Sequence, residues 1–317
     1  MEPHSFDYVI YHKNCLDGFS AFVVLTGTGT ISNNATIYPD MPSANEAPPN
    51  IDGKRIIIID VAYKRDVIEE IFSRAASVLF IDHHITIKND VITLIKLYED
   101  KHIMIYDEHL SGASLTWKYF YPDDPVPRWI KYIQDNDIGT WKYKFTRQFI
   151  LALQIKYRLN LSRDTIKRWN KLYDNNEVKR LIRSGHKYME YQSYLMDHFS
   201  HRYTLELFPS QMVYDDYKDF FTRPGQYMVA VVNGGCPDNS ILGNKIATDV
   251  DCDLVLLWTF HLDKKQYVIS FRSLEVDVGK IAKAFGGGGH TLASSCVIPL
   301  SKYNITDLFF PQSLPRY

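Results

Sequence analysis

Short apolar runs rich in β-branched residues alternate with helical stretches in the first part of the chain. The runs at 8–11, 55–59 and 77–81 are typical of buried strands. Stretches with helical spacing, at 18–25 and 65–76, separate these runs. The order strand, helix, strand, helix, strand predicts a parallel sheet, because neighbouring parallel strands need a crossover connection.

The pattern changes twice further along the chain. Helical character continues in three stretches, at 112–121, 128–134 and 161–201. Strand-like runs follow, at 227–232, 254–260 and 267–272. We therefore predict an α/β protein with three segments: an N-terminal parallel-sheet domain at 1–160, a helical connector at 161–202, and a smaller mixed-sheet α/β domain at 203–317. An active-site cleft is expected between the two domains.

Length and charge limit the classes of function. The 317 residues are 45% hydrophobic, which is enough to bury one large core or two medium ones. The 36 basic residues nearly cancel the 37 acidic ones, so no overall positive field gathers long duplex DNA. A small or short anionic ligand fits this balance better.

Targeting signals and cysteine spacing suggest a compartment. No apolar run approaches the roughly 18 residues that a membrane span needs, and the N-terminus lacks the pattern of a signal peptide. The four cysteines are far apart and show no C-x-x-C spacing: Cys15, Cys236, Cys252 and Cys296. This argues against a zinc knuckle and a disulfide framework. We expect a cytoplasmic protein without membrane contact.

Polar side chains follow each of the three N-terminal strands. His12 and Asp17 follow the first strand, Asp60 the second, and Asp82, His83 and His84 the third. The carboxyl ends of parallel strands face one crevice, so these side chains should converge. Clustered carboxylates repel one another unless a divalent cation supplies positive charge. Mixed imidazole and carboxylate ligands suit Mn²⁺, Fe²⁺, Co²⁺ or Zn²⁺ better than Ca²⁺.

Each of these residues alone also has an ordinary structural explanation. His12 could be a structural histidine, and Asp60 could cap a helix. The Asp-His-His triplet is harder to explain in this way, because it brings three polar groups that need partners to the end of an apolar strand. A further ligand is expected from Asp135 or Asp137, and the sequence does not choose between them.

A run of four glycines at 286–289, followed by His290, stands near the C-terminus. Such a run suggests a loop that needs positive φ angles or a close approach to a ligand. At a helix N-terminus it would present free N–H groups to an anion. A flexible linker is the alternative. Arg272 ends a strand just upstream, where it could bind an anion or form a surface salt bridge.

These residues together resemble the DHH phosphoesterases that carry a DHH-associated C-terminal domain. The triplet 82–84 is similar to the motif that names the family, the run 286–290 resembles its glycine-rich signature, and Arg272 stands at the expected upstream position. The resemblance covers nearly the whole chain. The segment 11–19 resembles the first motif of the branch of oligoribonucleases and cyclic-nucleotide phosphodiesterases.

The resemblance implies a role for each motif residue. One metal would be held by His12 and Asp60, and the other by Asp17, Asp60, His83 and Asp135. Asp82 and His84 would be catalytic, with Asp82 orienting the neighbouring histidine and His84 facing the substrate phosphate. The substrate would be bound by Arg272, Gly286, Gly287, Gly288, Gly289 and His290. The implied cofactors are two Mn²⁺ ions, with Mg²⁺ or Co²⁺ as alternatives.

One position departs from the family pattern. Many members have a second aspartate two residues before the Asp-Gly pair, where this chain has Cys15. A thiolate ligand could replace the carboxylate, or Cys15 could be a small packed residue at the start of a helix. The sequence favours the packed residue.

The resemblance implies hydrolysis of phosphodiester bonds by two-metal-activated water. The expected substrates are short oligonucleotides or related small nucleotide phosphates, and the sequence leaves the oligomeric state open, with a homodimer as one option. Alternatives within the enzyme class are a pyrophosphatase or polyphosphatase and a RecJ-type single-strand exonuclease. The last usually carries an extra nucleic-acid-binding module, for which residues 299–317 leave no room. A nucleotide-binding regulator with a degenerate metal site is the alternative outside that class.

Overall fold

The chain divides into two compact units, Met1–Met189 and Glu190–Tyr317. The computed structural model describes residues 5–42, 44–98, 100–221, 225–234 and 238–311, so Cys236 lies outside the described residues. The boundary between the units falls inside a long helix, α8 (Asn175–Phe199). This helix lies within the segment 161–202 that the sequence predicts as a connector.

The first unit contains a five-stranded parallel sheet, as the sequence predicts. Its strands are β1 (Phe6–His12), β2 (Ile31–Asp40), β3 (Arg55–Ile59), β4 (Ser77–Asp82) and β5 (Ile103–Tyr106). Their order across the sheet is β2-β1-β3-β4-β5. The three predicted strands are the central ones. Strands β2 and β5 form the two edges of the sheet, and neither was predicted from the sequence.

Two hydrophobic cores lie on the two faces of this sheet. Ile57 and Ile59 belong to one core, and Ile56 and Ile58 belong to the other, because successive side chains of a strand point to opposite faces. This explains why the central strands are largely apolar on both faces. The helices of this unit are α1 (Leu16–Thr26), α2 (Arg65–Arg74), α3 (Lys88–Tyr98), α4 (Gly112–Phe120), α5 (Arg128–Asp137), α6 (Thr146–Lys156) and α7 (Arg163–Asn170).

The strand order creates a switch point between β1 and β3. The chain passes from β1 through α1 to β2 on one side of β1, and then returns to β3 on the other side. In open α/β sheets, ligands bind at such a point, outside the carboxyl ends of the strands. The fold therefore provides a crevice at the ends of β1 and β3.

The second unit contains a mixed six-stranded sheet, which confirms the predicted fold class. Its strands are β6 (Thr204–Phe208), β7 (Tyr227–Asn233), β8 (Leu254–His261), β9 (Gln266–Arg272), β10 (Gly288–His290) and β11 (Ala293–Pro299). They lie in the order β10-β11-β9-β8-β7-β6. Strands β7 and β8 are parallel, whereas the other neighbouring pairs are antiparallel. The helices are α9 (Gln211–Tyr217), α10 (Asn239–Asp249) and α11 (Val278–Ala284).

Short 3₁₀ turns complete the described secondary structure, at Ile85–Ile87, Lys171–Tyr173, Lys218–Phe220 and Ile305–Leu308. Within the residues that the structure describes, none of the helices combines the length and the apolar character needed to cross a membrane.

Helices α6 and α8 make a close contact in the first unit at Gly185. A Cβ atom added to Gly185 would lie 1.8 Å from the carbonyl oxygen of Gln148 and 2.5 Å from its carbonyl carbon. Both clashing atoms are backbone atoms, so a side-chain rotation cannot relieve them. The contact requires glycine at this position.

We expect Gly185→Ala to destabilise the protein, although alanine normally favours a helix by about 1 kcal/mol over glycine. The free energy of unfolding should fall by about 1–3 kcal/mol, the usual cost of overpacking, because α6 and α8 would have to move apart. Urea denaturation measures this change, with Ser193→Ala on the exposed side of α8 as the control. An increase in stability for Gly185→Ala would contradict the close contact.

Candidate metal centre

The predicted polar residues of the first unit converge at the carboxyl edge of the parallel sheet. His12 is the last residue of β1, Asp60 directly follows β3, and Asp82 is the last residue of β4. Asp60 has a φ of 63°, a left-handed conformation that is uncommon outside glycine. Its backbone N–H donates to the carbonyl of Ile81 at 2.9 Å, so the residue stays anchored to the sheet while its side chain contacts the histidines.

The imidazole of His83 lies among three carboxylates. Its Nε2 atom is 3.1 Å from Oδ1 of Asp60, 3.3 Å from Oδ2 of Asp137 and 3.8 Å from Oδ2 of Asp17. Burial alone would lower the pKa of His83, but the hydrogen bond with Asp60 and the surrounding negative charges raise it to about 9. One N–H can satisfy only one acceptor well, so the three carboxylates remain incompletely neutralised.

The pKa values of the carboxylates reflect the same concentration of negative charge. Burial, together with the charges of Asp60 and Asp137, raises the pKa of Asp17. Burial and the charge of Asp60 likewise raise the pKa of Asp137. For Asp60, burial would raise the pKa, but hydrogen bonds with His12 and His83 lower it to about 2. A cation at this place would relieve the repulsion.

A second group of donors surrounds the other oxygen of Asp60. Nδ1 of His12 lies 3.3 Å from Oδ2 of Asp60, and the thiol of Cys15 donates to the same oxygen at 3.5 Å. Burial and the negative charge of Asp60 raise the pKa of this thiol. Asp60 therefore faces potential metal ligands on both of its oxygens.

Among the residues that the structure describes, three overlapping sets of side chains could hold a metal ion. The sets are His12, Cys15 and Asp60; Asp60, His83 and His84; and Asp17, His83 and Asp137. Within each set, the donor atoms lie within 4.8 Å of one another. Asp60 belongs to the first two sets, so its two oxygens could each serve a different metal ion. Imidazole and carboxylate donors in this combination suit divalent transition metals.

Asp82 holds the loop that carries the two histidines. Its Oδ1 atom accepts hydrogen bonds from the backbone N–H groups of His83 and His84, at 2.6 and 2.8 Å, and contacts Nδ1 of His84 at 2.7 Å. Burial would lower the pKa of His84, but the hydrogen bond and the charge of Asp82 raise it. Asp82 thus fixes the ring of His84 and favours its protonated form, leaving Nε2 on the opposite side of the ring.

The N-terminus of α4 also contributes to the site, which the sequence analysis missed. Asp17 accepts hydrogen bonds from the backbone N–H groups of Gly112 and Ala113, at 2.5 and 3.1 Å. Ser111 is the feature of the sequence that could have indicated this helix N-terminus, because it caps the helix and is followed directly by two small residues.

Two glycines make this concentration of charge possible through close backbone contacts. A Cβ atom added to Gly18 would lie 2.6 Å from Cβ of His12. One added to Gly112 would lie 2.8 Å from Cβ of Asp60. Both glycines lie in the first turns of their helices, α1 and α4. Their lack of a side chain lets the positive ends of two helix dipoles approach the acidic cluster. The glycines therefore serve the electrostatics of the site as well as its packing.

Asp135, which the resemblance implies as a metal ligand, has other partners in the structure. Its two carboxylate oxygens accept hydrogen bonds from the hydroxyls of Thr140 and Thr146 and from the backbone N–H groups of Lys142 and Tyr143. Burial would raise the pKa of Asp135, but these bonds lower it. Asp137 reaches His83 instead. Of the two alternatives that the sequence left open, the geometry favours Asp137.

Four of the six predicted substrate-binding residues line a shallow cavity of about 300 Å³ in the second unit. Arg272 ends β9 and lines this cavity together with Gly288, Gly289 and His290 of β10. The guanidinium of Arg272 donates to the hydroxyl of Ser240 at 3.1 Å and to the carbonyl of Phe271 at 2.7 Å. Its Nε atom is buried without a hydrogen-bond partner.

The glycine run has a different conformation from the expected anion-binding loop. It follows the C-terminus of α11, whereas such a loop would precede a helix. Gly286, with a φ of 75°, donates to the carbonyl of Lys283 at 3.0 Å, and Gly287 donates to that of Ala282 at 2.9 Å. These two bonds form a Schellman motif, which ends the helix. The rest of the run enters β10, so Gly286 and Gly287 do not line the cavity.

Comparisons with known proteins identify a relative whose own function is not assigned. No protein-family model matches this chain. The uncharacterized protein R106 of Acanthamoeba polyphaga mimivirus is 30% identical over 305 residues, which cover 91% of this chain and 66% of that protein. This chain thus spans slightly less than two thirds of the length of that relative.

Two solved structures show a weaker likeness. The pGpG-specific phosphodiesterase PggH from Vibrio cholerae is 13% identical, with a TM-score of 0.49 and coverage of 93% of this chain and 94% of that chain. An exopolyphosphatase-related protein from Bacteroides fragilis is 16% identical, with a TM-score of 0.42 and coverage of 91% of this chain and 85% of that chain. Scores at this level do not establish a common fold.

The fold and the site by themselves define a class of protein. This is a two-unit α/β protein whose parallel sheet carries a cluster of histidine, aspartate and cysteine side chains at its carboxyl edge. The particular activity has to be inferred from what such a cluster can do.

We expect Asp135→Asn and Asp137→Asn to have different effects, because only Asp137 contacts His83. In chelator, Asp135→Asn should lower the free energy of unfolding by about 1–3 kcal/mol, since an amide cannot accept all the hydrogen bonds of the carboxylate. Asp137→Asn should leave stability unchanged or higher at neutral pH, because burial disfavours its ionised form. Mn²⁺ affinity should fall in Asp137→Asn alone. Urea denaturation and Mn²⁺ calorimetry measure the two properties.

The pH dependence of stability provides a control for the comparison of Asp135→Asn with Asp137→Asn. The lowered pKa of Asp135 means that its stabilising contribution is present above its unfolded-state pKa and is lost as the pH falls through its folded-state pKa. The difference in stability between wild type and Asp135→Asn should therefore shrink in acid. Loss of Mn²⁺ binding in a folded Asp135→Asn variant, with normal binding in Asp137→Asn, would reverse the assignment.

Proposed function

We propose that this chain is a metal-dependent phosphoesterase of the DHH family, and that it hydrolyses phosphodiester bonds in short oligonucleotides or related small nucleotide phosphates. The observation that carries the proposal is the contact of His83 with Asp17, Asp60 and Asp137 at the edge of the parallel sheet. A buried cluster with this excess of carboxylates suits divalent cations.

The proposed ligands divide between two metal positions that share Asp60. His12 and Asp60 belong to one position, and Asp17, Asp60, His83 and Asp137 belong to the other. Two divalent cations, for which we propose Mn²⁺, would supply the Lewis-acid chemistry that activates water for attack on a phosphoester. The protein contributes the placement of these ligands and a partly dry environment, since Asp17 and Asp60 are each only 1% exposed.

His84 is the proposed proton donor of the site. Asp82 contacts its Nδ1 atom and raises its pKa, which favours a protonated ring. The opposite nitrogen, Nε2, would then donate a hydrogen bond to a phosphoryl oxygen or a proton to the leaving oxygen. Asp82 acts through His84 and is a positioning residue in this scheme.

Arg272 and His290 are the proposed anion-binding residues of the second unit. Both residues line the same cavity, and the guanidinium of Arg272 carries a permanent positive charge. Ser270, Ser294 and Ser295 line the cavity as well. We propose that this cavity binds a phosphate or an adjacent nucleotide of the substrate.

We expect His83→Ala to abolish hydrolysis and to abolish Mn²⁺ binding at the position formed by Asp17, Asp60, His83 and Asp137, whereas His84→Ala should retain Mn²⁺ binding and lose about 10²–10⁴-fold in kcat. The two histidines are adjacent, so each variant is the matched control for the other. Mn²⁺ calorimetry measures binding. Hydrolysis is measured on a panel of short RNA, short DNA, cyclic dinucleotides, adenosine 3′,5′-bisphosphate and pyrophosphate, with and without excess chelator.

The same panel tests the proposed function. Cleavage of pyrophosphate alone would replace the phosphodiesterase proposal with a pyrophosphatase. Full activity in excess chelator, or an active His83→Ala variant, would contradict the metal-dependent mechanism.

We expect Arg272→Ala to lower kcat/KM for the preferred substrate by about ten- to hundredfold, the cost of losing a charge-assisted contact of about 1.5–3 kcal/mol. Metal affinity should stay unchanged, because Arg272 is not a proposed ligand. Lys264→Ala, an exposed position between β8 and β9, serves as the control for charge. Equal losses in the two variants would remove the specific role of Arg272, and thermal unfolding checks that each variant is folded.

A further inference from the structure

The surroundings of Cys15 differ from those of the other described cysteines. Cys296 is buried in a hydrophobic core, and Cys252 packs against another. The sulfur of Cys15 instead contacts the carboxylate of Asp60 at 3.5 Å. Its neighbours in sequence do pack into the core, since Phe19 is part of it and Leu16 lies against it. The sulfur is therefore directed toward polar ligands, contrary to the packed residue that the sequence favours.

We propose that Cys15 is a ligand of the metal position formed by His12 and Asp60, and that its sulfur makes this position prefer a thiophilic cation such as Zn²⁺ or Co²⁺ over Mn²⁺ and Mg²⁺. The proposal rests on the metal centre of the proposed function: it adds a ligand to that centre and replaces Mn²⁺ at this one of the two positions. On coordination, the metal–sulfur bond forms as the thiol loses its proton to solvent.

The distances fit a coordination sphere. Metal–ligand bonds of about 2.0–2.3 Å to nitrogen, oxygen and sulfur place neighbouring tetrahedral ligands about 3.3–3.8 Å apart. Nδ1 of His12 and Sγ of Cys15 lie 3.3 and 3.5 Å from the same oxygen of Asp60. All three side chains have donor atoms within 4.8 Å of one another. Small shifts of the side chains would therefore let one ion contact all three.

The dipole at the start of α1 acts against the burial and the negative charge of Asp60, which raise the pKa of the Cys15 thiol. Cys15 is the N-cap residue of this helix of 11 residues, whose N-terminus carries a partial positive charge. A thiolate provides the same negative charge as a carboxylate, but it is a softer donor. Soft sulfur ligands select Zn²⁺ and related ions, whereas carboxylates suit Mg²⁺ and Mn²⁺.

Titration of the metal-free full chain with Co²⁺ tests the proposal without an activity assay. Thiolate coordination should give a near-ultraviolet sulfur-to-cobalt charge-transfer band in wild type and in Cys252→Ser, and this band should be absent in Cys15→Ser and Cys15→Asp. Cys15→Asp should also reduce the preference for Zn²⁺ over Mn²⁺ by about 10–100-fold in calorimetry, because a hard oxygen donor replaces the sulfur.

The outcomes separate this inference from the proposed function. If wild type binds Co²⁺ by calorimetry but shows no band, or if Cys15→Ser keeps the band, the sulfur is not a ligand and the metal centre stands. If wild type binds neither Co²⁺ nor Mn²⁺, the metal centre itself is wrong.

If Cys15→Ser fails to fold, alkylation of the wild-type protein tests whether the sulfur of Cys15 is a ligand. Bound Co²⁺ should slow the labelling of Cys15 at least about tenfold and leave the labelling of Cys252 unaffected. Equal labelling of Cys15 with and without bound metal would overturn the proposal.

Discussion

The repulsion among buried carboxylates is the constraint on which the site depends. Asp17 and Asp60 are almost completely buried, and Asp137 lies beside them on the same histidine. The fold compensates two of the three charges: the N-terminus of α4 donates to Asp17, and His12 and His83 contact Asp60. The raised pKa values of Asp17 and Asp137 show that this compensation is incomplete. Stability alone does not explain such a cluster, because apolar residues would cost less to bury.

The sequence predicted the centre of the fold better than its edges. The strands β1, β3 and β4 are largely continuous apolar runs because both faces are buried, and this pattern is visible without a structure. Strand β2 contains Asn33 and Asn34 and is mostly half-buried, so it lacks both the apolar run and the regular alternation of a typical strand. Strand β5 has only four residues. Edge strands lie partly in solvent, and their pairing depends on neighbours far away in sequence.

The site could be predicted up to the point where loop geometry decides. Residues that directly follow strands were found, because the sheet fixes where strands end. The choice between Asp135 and Asp137 depends on how residues 140–146 fold back onto the end of α5, and no local pattern specifies this. For a related reason, the sequence suggests an anion-binding loop or a linker for the glycine run and does not show that the run ends a helix. A Schellman motif and an anion-binding loop both require glycine, and only the position of α11 distinguishes them.

The conformation of the glycine run also changes which groups in the second unit can bind an anion. Gly286 and Gly287 use their N–H groups to end α11, so these donors are not free for a phosphate. Gly289, with a φ of 142°, has no room for a side chain, because an added Cβ would lie 2.6 Å from the carbonyl oxygen of Ala293. The glycines thus shape the cavity, while charge comes from Arg272. Recognition by a guanidinium is directional and bidentate, whereas a loop of N–H groups surrounds its anion. Under the proposed function, this arrangement favours a phosphate or nucleotide group presented to one side of the cavity.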